Sequence, residues 1–278
     1  MDIKLLTILD FFSFRKELKK ILGIGILKYI KLLVLNKYIF IVTYSNGYSI
    51  FWETIKIDSG KFLIYKIYKN KNKLDKTIRG KTYKKDHFIY ICNDKEYNLD
   101  NITNWGFKER NCNLYMKINL KNLNVNKLNV DKLNVDNINF EKLILGLNDI
   151  ERCNIQNEAF FEVNRIPLNL KDIKYEMNRQ CFLEDLSYFI KINGEYIGYG
   201  QVMDLNGNYT VANLCIKNKF RGKGYGKTLL KYLLLKCVER DVYDIYIKVR
   251  SDNTVALSLY KKIGFKVIEN QHIFEIKS

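Results

Sequence analysis

A short segment rich in glycine and basic residues, Phe220 to Thr228, has the composition of a turn that binds phosphate groups. It follows an apolar, strand-like run from Tyr209 to Ile216 and opens a helix-like run from Thr228 to Glu239. A glycine turn between a strand and a helix presents backbone N–H groups at the helix N-terminus, where the helix dipole also attracts phosphate oxygens. Glycine is needed because a side chain would hinder positive φ angles and close approach of the ligand. Positive charge comes from Arg221, Lys223 and Lys227.

The spacing of these glycines distinguishes three phosphate-binding motifs. A P-loop needs glycine five residues before Gly226-Lys227-Thr228, where this chain has Arg221. The dinucleotide fingerprint G-x-G-x-x-G also fails, because the glycines here follow the order G-x-G-x-G. The pattern R-x-x-G-x-G fits Arg221, Gly224 and Gly226, and it resembles the pyrophosphate-binding motif of the GNAT superfamily of N-acetyltransferases. An ordinary basic turn before a helix is the alternative.

A second block downstream strengthens the resemblance. A strand-like run from Val242 to Val249 leads to Asn253 and a helix-like run from Thr254 to Ile263, after which comes Gly264-Phe265. In the GNAT superfamily the corresponding order is a strand, an asparagine, a helix with a late tyrosine, and Gly-Phe. With two motifs in the right order, residues 143–278 are identified as a member of this superfamily.

The resemblance implies an N-acetyltransferase that uses acetyl-CoA as co-substrate and transfers its acetyl group directly to a primary amine. The glycine turn would bind the pyrophosphate, and the preceding strand would pair with the pantetheine arm as if adding a strand. A backbone N–H near Leu214 would polarise the thioester oxygen. The implied acetyl-CoA-binding residues are Leu214, Cys215, Ile216, Arg221, Gly222, Lys223, Gly224, Tyr225, Gly226, Lys227 and Asn253. Asn253 could serve instead as a helix N-cap, and Leu214 as a core residue.

Tyr260 is the implied catalytic residue. At its position the resemblance places a general acid that protonates the departing thiolate, which a phenol of pKa ~10 can do when it lies close by. A packing role is the alternative, because the chain contains 20 tyrosines.

The general base is not identified by any motif. The strand from Thr210 to Ile216 contains no acid, whereas many family members carry a carboxylate there; Glu158, Glu162, Asp204 or a chain of water molecules could substitute. Cys215 is disfavoured as a nucleophile because direct transfer needs none and strand alternation turns its side chain away from its neighbours'. The acceptor amine therefore stays open, and a non-catalytic acyl-CoA-binding or sensing module is the alternative function.

The net charge of +17 indicates an anionic partner such as a polyphosphate cofactor, a membrane surface or nucleic acid. Residues 1–140 hold 26 basic and 13 acidic residues, so most of the excess lies outside the half that carries the motifs. Abundant Lys, Asn, Ile and Tyr are equally typical of an A/T-rich genome. Nucleic-acid binding is therefore disfavoured, although the segment from Tyr65 to Lys69 interleaves aromatic and basic residues.

Cysteine and histidine usage predicts no metal site. The six cysteines include no C-x-x-C pair, and the chain has two histidines. Scattered cysteines indicate free thiols in a reducing compartment, so a cytoplasmic location is expected. The N-terminus lacks a signal-peptide pattern and no apolar run reaches the roughly 18 residues of a spanning helix, so no transmembrane segment is predicted.

Three regions are predicted along the chain: a smaller α+β accessory domain at 1–120, a linker at 121–142, and the catalytic GNAT domain at 143–278. A five-residue repeat runs from Leu123 to Lys142, a period that suits neither a helix nor a strand; a short solenoid is the alternative. Trp105-Gly106-Phe107 resembles Gly264-Phe265 at an offset of 158 positions, where Tyr260 corresponds to Ile102. The first region is thus interpreted as a degenerate GNAT copy, as in tandem GNAT proteins such as mycothiol synthase, or else as an unrelated α+β domain.

The predicted order of elements from residue 143 onward is helix, helix, three antiparallel strands, helix, strand, helix, two strands. Asn193-Gly194 predicts the first hairpin. The expected fold class is therefore α/β (α+β): the GNAT fold, a mixed and mostly antiparallel sheet flanked by helices.

Overall fold

The computed structural model describes residues 1–13, 15–45, 48–70, 82–83, 86–94, 99–122, 137–162 and 165–277. The chain forms two compact units, one of Met1–Asn113 with Asn270–Ser278 and the other of Leu114–Glu269. These limits differ from the predicted boundaries at 120 and 143, because two long strands each contribute residues to both units.

The first unit begins with strand β1, three helices and four further strands. Their bounds are β1 Asp2–Leu5, α1 Ile8–Ser13, α2 Arg15–Leu22, α3 Ile26–Val34, β2 Lys37–Thr43, β3 Ser49–Asp58, β4 Lys61–Asn70 and β5 His87–Asn93. Helix α4 Leu99–Asn104 leads into β6 Lys108–Asn119, which continues into the second unit.

The second unit continues with two helices, three long strands and the elements of the two motifs. Their bounds are β7 Ile138–Lys142, α5 Asp149–Ala159, α6 Leu170–Met177, β8 Phe182–Ile192, β9 Glu195–Leu205, β10 Asn208–Ile216, α7 Tyr225–Val238, β11 Asp244–Arg250, α8 Thr254–Ile263 and β12 Lys266–Lys277. The last residues of β12 belong to the first unit.

Both units have the same strand topology. The order is β1-β2-β3-β4-β5-β12 in the first unit and β7-β8-β9-β10-β11-β6 in the second. In each, the first four strands are antiparallel neighbours and the fourth pairs in parallel with the fifth. In both units a bulge follows the last residue pair of the two parallel strands. It lies at Tyr65 in β4 and at Asn213 and Leu214 in β10.

The ends of α4 and α8 also correspond. Gly106 and Gly264 follow the helices with φ of 83° and 120°, a conformation in which glycine avoids the steric cost of a side chain. The N–H of Phe107 donates to the carbonyl oxygen of Ile102, and that of Phe265 donates to the carbonyl oxygen of Tyr260. Ile102 therefore occupies the local position that Tyr260 holds in the second unit, as the sequence offset predicts, but it carries no hydroxyl.

Helix α7 is anchored in the second unit by a row of fully buried leucines. Burial of each such side chain is favourable by about 1.5–3 kcal/mol. The four are Leu229, Leu230, Leu233 and Leu234, and they pack in a cluster with residues of α8 and of strands β8 to β11. The opposite face of this sheet packs against α5 through Leu143, Ile155, Phe189, Tyr199 and Cys215. The start of α7, where the glycine turn lies, is thus held on a rigid element.

The predicted order of elements is confirmed except at its end and in the linker. The final two predicted strands are one strand, β12, because the sequence from Lys266 to Lys277 contains no turn residues other than Asn270. Residues 138–142 of the predicted linker form β7, which pairs with β8. Residues 123–136 of the repeat lie outside the described residues. In the described part of the chain, no helix is long and apolar enough to cross a membrane.

The pairing of β7 with β8 is reinforced by Glu141. Its carboxylate accepts hydrogen bonds from Lys191 Nζ and Asn148 Nδ2, both at 2.8 Å, and from the Tyr196 hydroxyl. The bonds from Lys191 and Tyr196 lower the pKa of Glu141 to about 2. A carboxylate with a lowered pKa stabilises the folded state above its ordinary pKa, and that contribution is lost as the pH falls towards 2.

We therefore expect Glu141→Gln to lower the free energy of unfolding by about 1 kcal/mol at pH 7, a value reduced by the exposure of this carboxylate. The difference from the wild type should narrow steadily below about pH 4.5 in chemical denaturation. Glu195→Gln is the matched control, because Glu195 pairs with Lys219 at 2.7 Å but is more exposed. An equal effect of both variants, or a difference that does not change with pH, would contradict this assignment.

Candidate active site

The site begins where β10 separates from β11. Parallel pairing runs from Tyr209 opposite Ile245 to Val211 opposite Ile247, and it ends there although both strands continue. On the other side, Ala212 pairs with Gln201 and Cys215 with Tyr199, so two residues of β10 lie opposite one residue of β9. This bulge bends the strand and places the backbone of Leu214 beyond the last pair with β11. A ligand with amide groups can add to β10 here, as the sequence analysis predicts for the pantetheine arm.

Two glycines of β9 make room for the bulged strand. A Cβ atom on Gly200 would lie 2.9 Å from Leu214 Cδ1, and one on Gly198 would lie 2.4 Å from Ile216 Cδ1 and 2.7 Å from the Cys215 carbonyl oxygen. At Gly198 the backbone of β10 itself leaves no room for a Cβ, so β10 keeps its course only if this position is glycine. At Gly200 the close atoms are the ends of leucine side chains, which would have to shift to admit a Cβ. Gly198 and Gly200 were not predicted as site residues from the sequence, although Gly-x-Gly within a strand is a signal of close backbone approach.

The glycine turn has the conformation that its sequence predicts. Gly222 and Gly224 have φ of 77° and 88°, and Gly224 is the N-cap of α7. The first N–H groups of a helix have no partner within it, so those of Tyr225 and its neighbours are available to a ligand. Within the described part of the chain, no atom beyond the adjacent residues lies within 4 Å of a Cβ built on Gly222 or Gly224, so the turn is open on that side. A Cβ on Gly226 would contact Ile216 and Leu259 at ordinary distances of 3.7 and 3.9 Å.

Arg221 fixes the turn to the elements on either side of it. Its Nε donates to the carbonyl oxygen of Ile216 at 3.1 Å, and Nη2 donates to that of Ala159 at 2.5 Å. Glu158 accepts the N–H of Asn218 at 2.7 Å. Both side chains therefore hold the turn between β10 and α5. Lys223 and Lys227 are exposed on the turn and supply positive charge at the place where the sequence analysis expects a pyrophosphate.

Helix α8 brings Tyr260 into the buried cluster that contains Ile216 at the end of β10, and the neighbouring Leu259 packs against the same cluster. Tyr260 is largely buried and packs against Phe265, and burial raises its pKa to about 12. The phenol is therefore protonated at neutral pH, which is the state a proton donor requires. Asn253 is the N-cap of α8, and its side-chain oxygen accepts the N–H of Ala256 at 3.1 Å.

The three carboxylates considered as a general base differ in their positions and contacts. Asp204 accepts the N–H of Gly207 in the β9–β10 turn and pairs through its backbone with Tyr209, at the opposite end of β10 from the glycine turn. Glu158 is engaged by the backbone of Asn218, and Glu162 is exposed. Burial raises the pKa of the Cys215 thiol to about 12, so this cysteine is a neutral core residue. A thiolate nucleophile at Cys215 is thereby disfavoured, as expected from the sequence.

A buried polar network that sequence analysis missed supports β9 behind the bulge. The fully buried Arg152 of α5 stacks on the Tyr199 ring and donates to Glu176 Oε1 at 2.8 Å. Gln201 donates to the same oxygen at 2.6 Å and accepts the Tyr199 hydroxyl at 2.5 Å. Tyr199 and Gln201 are the residues that pair with β10 on either side of the bulge. These hydrogen bonds hold the two β9 residues that flank the bulge.

Comparisons with known proteins identify a family that part of the second unit matches. Residues 152–265 match the profile described as the acetyltransferase (GNAT) family. A ribosomal protein bS18-alanine N-acetyltransferase from Haemophilus influenzae is 26% identical over 127 residues, which cover 44% of this chain and 82% of that protein.

Solved structures share the fold at low sequence identity. A GCN5-related N-acetyltransferase from Sphaerobacter thermophilus has a TM-score of 0.61 at 13% identity, over 86% of this chain and 80% of that one. A tandem GNAT protein from the clavulanic acid biosynthesis pathway has a TM-score of 0.54 at 10% identity, over 87% of this chain and 82% of that one. Because the two alignments cover 86% and 87% of this chain, each includes residues of both units.

Proposed function

Because residues 152–265 form an acetyltransferase domain of the GNAT family, we propose that the protein transfers an acetyl group from acetyl-CoA to a primary amine. The transfer is direct, from the thioester carbon to the amine nitrogen, with no acyl-enzyme intermediate. The observation that carries the proposal is the glycine turn at the N-terminus of α7, beside the point where β10 separates from β11.

The residues present fit acetyl-CoA. Backbone N–H groups from Gly222 to Gly226 and the charges of Lys223 and Lys227 suit its pyrophosphate. The backbone of Leu214 to Ile216 suits the amides of its pantetheine arm, and the Leu214 N–H would hold the thioester oxygen as it becomes negative. Arg221 would act mainly by holding the turn, given its two carbonyl partners.

Proton transfer is assigned to one tyrosine and to water. Tyr260 would donate its phenolic proton to the sulfur as the C–S bond breaks, which avoids the release of a free thiolate. The ammonium of the acceptor would lose its proton to water, since β10 carries no acid and Glu158 and Asp204 bind backbone N–H groups.

An N-terminal amine of a protein is the acceptor class that the relatives favour. The Haemophilus enzyme named above acts, by its name, on the alanine of a ribosomal protein. The first unit is proposed to be a degenerate copy of the second, because the strand order, parallel pair, bulge and helix end correspond while Ile102 replaces the tyrosine.

The direct test is binding and turnover with purified full-length protein. Acetyl-CoA should raise the melting temperature, and free CoA should accumulate when a panel of peptides with free N-terminal amines is added. The same peptides with blocked N-termini are the control. Stabilisation without CoA release across peptides, polyamines and amino acids would favour the non-catalytic acyl-CoA-binding module, and no stabilisation would contradict both functions.

A further inference from the structure

Three potential metal ligands of different kinds meet in the first unit, apart from the proposed active site. They are Glu109 and Cys112 on β6 and His272 on β12, and one ligand atom of each lies within 4.8 Å of those of the other two. A carboxylate oxygen, a thiol sulfur and an imidazole nitrogen form a set that suits Zn²⁺, which accepts all three donor types.

A fourth side chain orients the histidine from the other side. His272 Nε2 lies 3.0 Å from Asp94 Oδ1, while Nδ1 lies 2.8 Å from Glu109 Oε1. The imidazole is mostly buried, with 13% of its side chain exposed. A ligating histidine commonly donates its other ring N–H to a carboxylate, which fixes the tautomer and raises the basicity of the ligating nitrogen. Asp94 is placed to accept the Nε2–H, which leaves Nδ1, beside Glu109, as the nitrogen that would bind a metal.

We propose that the first unit binds one Zn²⁺ ion through Glu109, Cys112 and His272 Nδ1, with water as the fourth ligand. On binding, the metal takes the place of the proton between Nδ1 and Glu109, and the Cys112 thiol releases its proton to solvent. The ion would link β6 to β12, two strands far apart in the sequence. An ion pair in which a protonated His272 bridges Asp94 and Glu109 is the competing account.

The two accounts are separated by metal titration of the full-length protein, freed of metal by chelator and dialysis. We expect calorimetry with ZnCl₂ to give one site per chain. Addition of CoCl₂ should give the near-ultraviolet charge-transfer absorption of a cobalt–thiolate bond. His272→Gln and Cys112→Ser should each weaken Zn²⁺ binding more than tenfold, and Cys112→Ser should remove the cobalt–thiolate band.

Two matched controls are present in the chain. His87 also pairs with a carboxylate, Glu275, at 2.9 Å, and Cys181 is a partly exposed free cysteine. His87→Gln and Cys181→Ser should bind Zn²⁺ like the wild type. Circular dichroism of every variant checks that the fold is retained.

Asp94→Asn tests the orienting role, because loss of such a partner typically weakens metal binding about 10–100-fold. The cobalt–thiolate band should persist in this variant at saturating metal. Absence of a stoichiometric site in the wild type would overturn the proposal in favour of the ion pair. Equal binding by Cys112→Ser and Cys181→Ser would overturn it as well.

Discussion

Replacement of Gly224 by aspartate is expected to abolish the binding of acetyl-CoA under ordinary assay conditions. Gly224 has φ of 88°, and a non-glycine residue in the left-handed region costs roughly 1–2 kcal/mol. If the turn relaxes to relieve this cost, the N–H groups at the start of α7 lose their alignment with the pyrophosphate. That loss alone is expected to weaken the affinity for acetyl-CoA about tenfold. The added carboxylate also repels the pyrophosphate at the place where the helix dipole attracts it.

Gly207→Asp is the matched control for this experiment. Gly207 has φ of 85°, and among the described residues no atom beyond its chain neighbours lies within 4 Å of a Cβ built on it. It lies in the turn between β9 and β10, at the end of β10 opposite the glycine turn. The control should lose similar stability and retain its affinity for acetyl-CoA in calorimetry. Wild-type affinity in Gly224→Asp would remove the turn from the cofactor site.

Substitution of Tyr260 by phenylalanine is expected to lower the turnover number by ~10²–10⁴-fold, the usual effect of losing a general acid. The affinity for acetyl-CoA should change little, because the ring and its packing against Phe265 remain and the phenolic proton is used in the transition state. Turnover would be measured as CoA release with the best amine, or as slow hydrolysis of acetyl-CoA if no amine is found.

Tyr188→Phe provides a control with a similar environment. Tyr188 is also buried in the core of the second unit, and burial raises its pKa to about 12 as well, but it lies on β8. Its loss should affect stability more than turnover. Because burial raises the pKa of the Tyr260 phenol to about 12, its ionisation should not lower the wild-type rate between neutral pH and about pH 11. Near-normal turnover in Tyr260→Phe would assign the residue to packing and favour the non-catalytic module.

The local parts of the proposed active site were predictable because their signals are contiguous in the sequence. Gly222 and Gly224 lie in positive-φ positions that few other residues adopt, so the R-x-x-G-x-G spacing predicts the turn and the helix that follows it. Thr254–Ile263 was likewise predicted as a helix with Asn253 before it and Gly264 after it, and these residues cap it. The role of Tyr260 stays a prediction, since its position and protonation state are compatible with both catalysis and packing.

Contacts between distant segments were decided by the tertiary structure. Sequence spacing does not predict that Arg221 bonds to Ala159 or that Arg152 bonds to Glu176. Nor does it predict that Asp204 lies at the end of β10 opposite the glycine turn. Each of these positions depends on how helices and strands pack. The predicted limits of the domains differ from the compact units for a similar reason: β6 and β12 extend beyond the units in which they start.

The sequence by itself predicted the glycine turn and the order of elements around it, since these depend on the periodicity and backbone freedom of neighbouring residues. Its two motifs carry the resemblance of residues 143–278 to the GNAT superfamily. The tertiary structure decided which side chains meet. The sequence predicts no metal site because it contains no C-x-x-C pair and has two histidines. In the folded chain, however, Glu109 Oε1 and His272 Nδ1 lie 2.8 Å apart although the two residues are 163 positions apart in the sequence. A folded sheet places strands side by side regardless of their separation along the chain, so donor atoms can converge without any sequence motif.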